Sequence, residues 1–197
     1  MHSLTKSVHS PIQEIKDNLL ESKRIQLFIK RDDLIHPLVS GNKWRKLKYN
    51  LLAAKEAEQS TILTFGGAFS NHIYATAAAG KVFGFKTIGI IRGEKITPLN
   101  PTLAFAEQSG MELHFITRSD YRKKDRPDFQ QTLRQQFGDF YLVPEGGTNT
   151  LAMKGCAELV EEVARQLPEL PDYWCAACGT GGTVSYTHLT LPTTPYV

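Results

Sequence analysis

The chain has 197 residues, room for one large domain or one and a half at roughly 150 residues per domain. Apolar residues make up 41% and charged residues 22%, a globular composition that excludes a disordered or low-complexity chain. A dispersed net charge of +3, only three cysteines and no apolar run of the ~18 residues a membrane span needs argue against nucleic acid, a disulfide framework and a membrane, leaving a reducing cytoplasm as the expected compartment.

In chain order, β-rich runs alternate with longer amphipathic ones. Residues 25–30 predict a strand, and residues 42–58 a helix with Trp44, Leu47, Leu51 and Ala54 on its apolar face and Lys or Arg on the rest. A strand at 61–65, an alanine-rich helix at 70–83 and a strand at 86–92 follow. Pro101 opens a helix that ends at Ser109 before Gly110, and residues 111–116 form a strand. Helices at 128–137 and 151–166 flank a strand at 140–143, and residues 173–178 read as the last strand. Strands separated by helical crossovers imply an α/β fold: a three-layer, largely parallel sheet whose ligands sit beyond the carboxyl ends of the strands.

Four loops could carry chemistry. In Ser40-Gly41-Asn42-Lys43 a lysine opens a helix after a glycine; beside the positive helix end and out of water its amine is easily deprotonated. The same segment also reads as a solvated basic helix, in which Lys46, Lys48 and Lys55 are surface residues. In Gly66 to His72, glycines allow close backbone approach, and Ser70 with Asn71 caps a helix whose N–H groups can hold a carboxylate; the cap alone would also account for the serine. Gly146-Gly147-Thr148-Asn149 follows a strand in the same manner. Gly179-Thr180-Gly181-Gly182-Thr183 can form a phosphate cradle or an ordinary tight turn, and it matches neither a dinucleotide fingerprint nor a Walker loop. Cys175 and Cys178, without a second ligand pair, read as packing residues of a buried strand, and His2, His9, His36 and His114 lack ligand spacing, so no metal site is expected.

Taken in order, Lys30-Arg31-Asp32-Asp33, Gly41-Asn42-Lys43 with Arg45-Lys46-Leu47, Ser70-Asn71-His72, Gly146 to Asn149 and Gly179 to Thr183 resemble the 1-aminocyclopropane-1-carboxylate deaminase/D-cysteine desulfhydrase family. The resemblance spans residues 11–183 and implies a tryptophan synthase β-like fold (fold type II) that uses pyridoxal 5'-phosphate. It further implies that Lys43 is the Schiff-base lysine and moves protons, that Asn71 bonds the ring hydroxyl of the cofactor, and that Gly179, Thr180, Gly181, Gly182 and Thr183 hold its phosphate. Ser70, with Asn71 and His72, would meet a small amino-acid substrate, Ser70 also as a nucleophile. His72, where the deaminase branch carries Gln, tilts the reading toward D-cysteine β-elimination over ring opening of a cyclopropane amino acid. Another enzyme of this fold, such as a dehydratase or a β-replacement synthase, stays open, as does a non-catalytic binder of a phosphate ligand.

The same resemblance divides the chain into an N-terminal part of a large domain (1–58), a small α/β domain (59–150) and the start of the second part of the large domain (151–183). A C-terminally truncated chain is expected, inactive by itself, from a parent that forms a homodimer. Residues 184–197 are Thr-rich, interrupted by proline and uncharged, and resemble the translation of a transposase sequencing adapter; they read as a foreign tail.

Overall fold

The computed structural model describes residues 4, 9–39, 41–177 and 183. A short antiparallel pair comes first. Strand β1 (Ile12–Ile15) runs against β2 (Leu27–Lys30), with Ile12 opposite Lys30, and a five-residue helix α1 (Asn18–Ser22) makes the return. A turn of 3₁₀ helix at residues 32–34 leads to α2 (Asn42–Glu56).

The main sheet is built from β3 (Thr61–Gly67), β4 (Lys86–Arg92), β5 (Met111–Ile116) and β6 (Tyr141–Val143), all parallel, in the order β5-β4-β3-β6. Between the strands run α3 (Asn71–Phe83), α4 (Pro101–Gln108), the four-residue α5 (Arg118–Tyr121) and α6 (Pro127–Phe137). The chain then turns through 3₁₀ residues 145–147 into α7 (Thr150–Gln166).

Side-chain alternation along the strands makes this a three-layer structure. Ile62 of β3 points to the face covered by α2 and α3, where Trp44, Leu47, Leu51, Ala75, Ala78 and Ala79 are buried together. Leu63 and Phe65, with Ile88 and Ile90 of β4, point to the other face, against Tyr121, Leu133 and Phe140. Ile91 returns to the first face, beneath Ile73 and Ala77 of α3 and Leu103 and Ala106 of α4. Helix α7 lies along α2 so closely that a Cβ at Gly155 would stand 1.9 Å from the Arg45 carbonyl oxygen.

The α/β parallel sheet and its crossover helices are as the sequence predicts. Three parts differ. Residues 25–30 contribute a strand that pairs only with β1, outside the parallel sheet, because Ile12 and Ile15, three residues apart, give no alternating signal for its partner. Residues 173–177 form no strand: the described sheet ends at β5 and β6, and a strand requires a neighbour for its hydrogen bonds. Cys175 is accordingly exposed and not part of a buried strand, while Cys156 is buried on α7. Residues 178–182 and 184–197, which include most of the predicted phosphate loop and the tail, lie outside the described residues. Among the described residues no helix is long and apolar enough to cross a membrane, and no cluster of metal ligands occurs.

Candidate active site

Two helices begin side by side at one cleft. Gly41 precedes α2 with φ 64° and ψ −150°, a conformation in practice confined to glycine, and this bend delivers Asn42 and Lys43 into the first turn. Ser70 caps α3, its Oγ accepting from the N–H groups of His72 (3.2 Å) and Ile73 (3.4 Å), and so sets Asn71 at the first helical position. Lys43 and Asn71 line a cleft of 520 Å³ together with Asn42, Leu38, Tyr74 and Thr102. That volume lies within the roughly 300–1,000 Å³ of small-molecule sites. Tyr74 is held as a wall by stacking on Phe105, with ring centroids 3.8 Å apart. Asn42 Nδ2 donates to Thr183 Oγ1 at 2.9 Å, bringing the end of the predicted phosphate loop to the base of α2.

Beneath the cleft lies a buried polar layer. The His72 ring is 2% exposed and faces inward. Thr64 Oγ1 donates its proton to the Val143 carbonyl at 2.8 Å, so at 2.8 Å from His72 Nε2 it accepts; this assigns the ring as the Nε2–H tautomer with a bare Nδ1. Burial, reinforced by Lys43 and Lys46, pulls the His72 pKa down to about 3 against the Pro144 carbonyl, and the ring is neutral at physiological pH. Gly147, at φ +70°, is packed so closely that a Cβ would lie 3.3 Å from both His72 Cε1 and Lys46 Cβ.

Lys46 is 1% exposed, its Nζ 3.4 Å from Thr148 Oγ1. Burial lowers the pKa of both Lys43 and Lys46, and for Lys43 the neighbouring Lys46 adds to the effect. Burial raises that of the nearby Cys156 thiol. Asn50 and Asn149 exchange amide hydrogen bonds of 3.2 and 2.7 Å, fastening the loop before α7 to α2.

The structure therefore brings Lys43 and Asn71 into one cleft, with Thr183 joined to its Asn42 wall. Ser70 serves as a helix cap, and the His72 side chain is buried against Thr64 and does not line the cleft. Gly179, Thr180, Gly181 and Gly182 lie outside the described residues. Sequence reasoning left Lys46 and Arg45 on the solvated face of α2, yet each is 1% exposed. For Lys46 the signal was positional: Lys43, Lys46 and Asn50 share one helix face, where Thr148 and Asn149 of the loop before α7 meet Lys46 and Asn50. Thr64 was hidden as an ordinary strand residue.

A lysine at a helix start whose pKa burial lowers, sharing a cleft with a polar helix cap on a parallel α/β sheet, is an arrangement suited to an enzyme that binds a carbonyl cofactor through lysine. Residues 11–188 match the model of the pyridoxal-phosphate dependent enzyme family, and the chain belongs to that family. It is 36% identical over 180 residues to a putative 1-aminocyclopropane-1-carboxylate deaminase of Thermotoga maritima, covering 89% of this chain and 57% of the relative. With the bifunctional D-cysteine desulfhydrase/1-aminocyclopropane-1-carboxylate deaminase of Arabidopsis thaliana it shares 31% identity over 174 residues, covering 81% of this chain and 43% of the relative. The crystal structure of an ACC deaminase homologue superposes with a TM-score of 0.80 at 28% identity, over 95% of this chain and 57% of that one. The chain thus spans about half the length of these relatives. Their names belong to the branch that the sequence motifs resemble.

The residues present fit pyridoxal phosphate. An amine whose pKa is lowered by burial, an amide in the same cleft and a hydroxyl tied to the base of α2 are the donor set that an aldehyde, a ring hydroxyl and a phosphate require.

Proposed function

We propose that the whole protein to which this chain corresponds is a lyase or deaminase that releases ammonia and a 2-oxoacid from a small amino acid. The favoured substrate is D-cysteine, which with water yields pyruvate, sulfide and ammonia; a cyclopropane amino acid would instead yield 2-oxobutanoate and ammonia. The observation that carries this reading is the pairing of Lys43 with Asn71 in one cleft, in a chain whose relatives bear these two activities in their names. His72 favours the D-cysteine reaction through the motif resemblance.

When bound, pyridoxal phosphate supplies a ring that withdraws negative charge from the substrate's Cα. The protein's residues then have distinct tasks. The Lys43 amine, whose pKa is lowered by burial and by the neighbouring Lys46, holds the cofactor and, when displaced by the substrate amine, takes and returns the Cα proton. The Asn71 amide orients the ring hydroxyl from across the cleft. The Ser70 hydroxyl proton and the Asn71 N–H at the start of α3 receive the substrate carboxylate, with the helix dipole favouring the negative charge. Thr183 and the glycines before it hold the phosphate. The large and small domain parts divide at residues 58 and 150 in this reading, the full-length protein is a homodimer, and the 197 residues alone lack turnover.

An amino-acid panel of D-cysteine, L-cysteine, serine and 1-aminocyclopropane-1-carboxylate, assayed on the full-length protein for sulfide, 2-oxoacid and ammonia, tests this. Sulfide and pyruvate in equal amounts from D-cysteine are expected. Replacement products without 2-oxoacid would move the assignment to a synthase.

A further inference from the structure

The cleft has more walls than the cofactor uses. Lys43, Asn71 and, through Thr183, Asn42 answer to its aldehyde, ring hydroxyl and phosphate, whereas Leu38, Tyr74, Ala75, Pro101 and Thr102 line the same cleft without a task. None of these five carries a charge, and Tyr74 is the largest of them. Tyr74 and Ala75 stand three and four residues beyond Asn71, on the same face of α3 and about 5 Å further along its axis. Pro101 and Thr102 are the first two residues of α4.

What fills this part follows from the four bonds of the substrate's Cα. The amine takes the place of Lys43 on the cofactor, the carboxylate goes to the Ser70 hydroxyl and the Asn71 N–H, and the proton goes to Lys43. The fourth bond carries the side chain, which is left with the five remaining walls. Among them Tyr74 is held from a second helix: its ring stacks on Phe105 of α4, with centroids 3.8 Å apart and 15° between the planes. Helix α4 is in turn tied to the loop that carries Ser70, because Asn100 accepts from the Leu103 N–H at 3.1 Å while its Nδ2 donates to the Ala68 carbonyl at 3.0 Å. The ring swings aside only by giving up its stack, so the wall and the carboxylate seat keep a set spacing.

We propose that Tyr74, held by Phe105, is a specificity-determining residue whose ring limits the substrate to a small side chain. The proposal rests on the reading of this cleft as the amino-acid site of a pyridoxal-phosphate enzyme, and it adds which residue sets the size of the substrate. A thiol or a hydroxyl on Cβ fits in front of the ring, and an aromatic group does not.

The test measures binding rather than turnover, on the full-length protein loaded with pyridoxal phosphate. Alanine and phenylalanine, which have no leaving group, are titrated in both enantiomers, and their dissociation constants are read from the change in the cofactor's visible absorbance. For the enantiomer the site accepts, the parent binds alanine about tenfold or more tighter than phenylalanine. Tyr74→Ala brings that ratio down by about tenfold through tighter phenylalanine binding. Tyr74→Phe keeps the ratio, and Phe105→Ala, which acts behind the wall, lowers it in part. A merely structural tyrosine predicts that Tyr74→Ala weakens both ligands alike and leaves the ratio unchanged; that result overturns the proposal, as does a parent that does not discriminate or a loss of discrimination in Tyr74→Phe. If Tyr74→Ala does not fold, Tyr74→Leu decides alone, because an unchanged ratio without the ring refutes the wall. Failure of the underlying reading looks different. No cofactor absorbance at all would remove the cofactor site and this proposal with it, whereas ratios that move as stated without sulfide or 2-oxoacid from D-cysteine would remove the assigned activity and leave the wall in place.

Discussion

Replacing Gly155 by alanine opposes two effects of known sign. In an exposed helix interior the change stabilises by about 1 kcal/mol, because glycine spends more backbone entropy. On α7, however, the new methyl would stand 1.9 Å from the Arg45 oxygen and 2.8 Å from its carbonyl carbon, where ordinary contact begins near 3.4 Å. The clash is with helix backbone, which cannot rotate aside, so α7 must retreat by about 1.5 Å. That retreat stretches the Arg45–Glu162 bonds of 3.0 and 2.9 Å and the Lys48–Glu158 pair at 2.8 Å. Overpacking of this kind costs about 3 kcal/mol, leaving a net loss of about 2 kcal/mol, or roughly 4–8 °C in Tm for a domain of this size. Thermal unfolding followed by circular dichroism measures it. A Tm equal to or above that of the parent would show that α7 does not lie against α2 as described.

Three further outcomes follow from the layer beneath the cleft. Because the His72 pKa falls from 6.5 in an unfolded chain to about 3, the unfolded state takes up the proton first as the pH drops; His72 stability is intact above pH 6.5 and is lost progressively toward pH 3. Urea denaturation should lose about 2 kcal/mol from this residue between pH 7 and pH 5, and the His72→Gln variant should lose correspondingly less. Thr64→Val strands both the His72 Nε2–H and the Val143 carbonyl and should destabilise by about 2–3 kcal/mol in the same assay, whereas a neutral result would contradict the assigned tautomer. Gly147→Ala forces a side chain to φ +70° against His72 and Lys46, with an expected loss of about 2 kcal/mol or more.

How far the fold and site were legible depended on whether the responsible force is local. The helix that begins at Asn42 and the strand Lys86–Arg92 were readable because capping signals, periodicity and β-branched runs act within a few residues. Strand β1 and the unpaired segment 173–177 were not, since pairing is a contact between distant segments and short sequences carry little trace of it. In the site, Lys43, Ser70 and Asn71 stood out because helix starts and glycine bends have local signatures. Arg45 and Lys46 did not, because a charged residue between apolar helix positions reads as solvated until the partner is known. Here the partners are Asp32, Glu162 and Thr148, up to 117 positions away along the chain.

The central claim, that the Lys43 amine holds the cofactor, is tested most directly by covalent trapping. The chain is incubated with pyridoxal 5'-phosphate, reduced with borohydride, digested and mapped by mass spectrometry. The account predicts a single dominant phosphopyridoxyl adduct on Lys43, absent in Lys43→Ala together with the visible absorbance of the bound cofactor. An adduct concentrated on Lys46 or scattered over exposed lysines, or absorbance retained in Lys43→Ala, would contradict it.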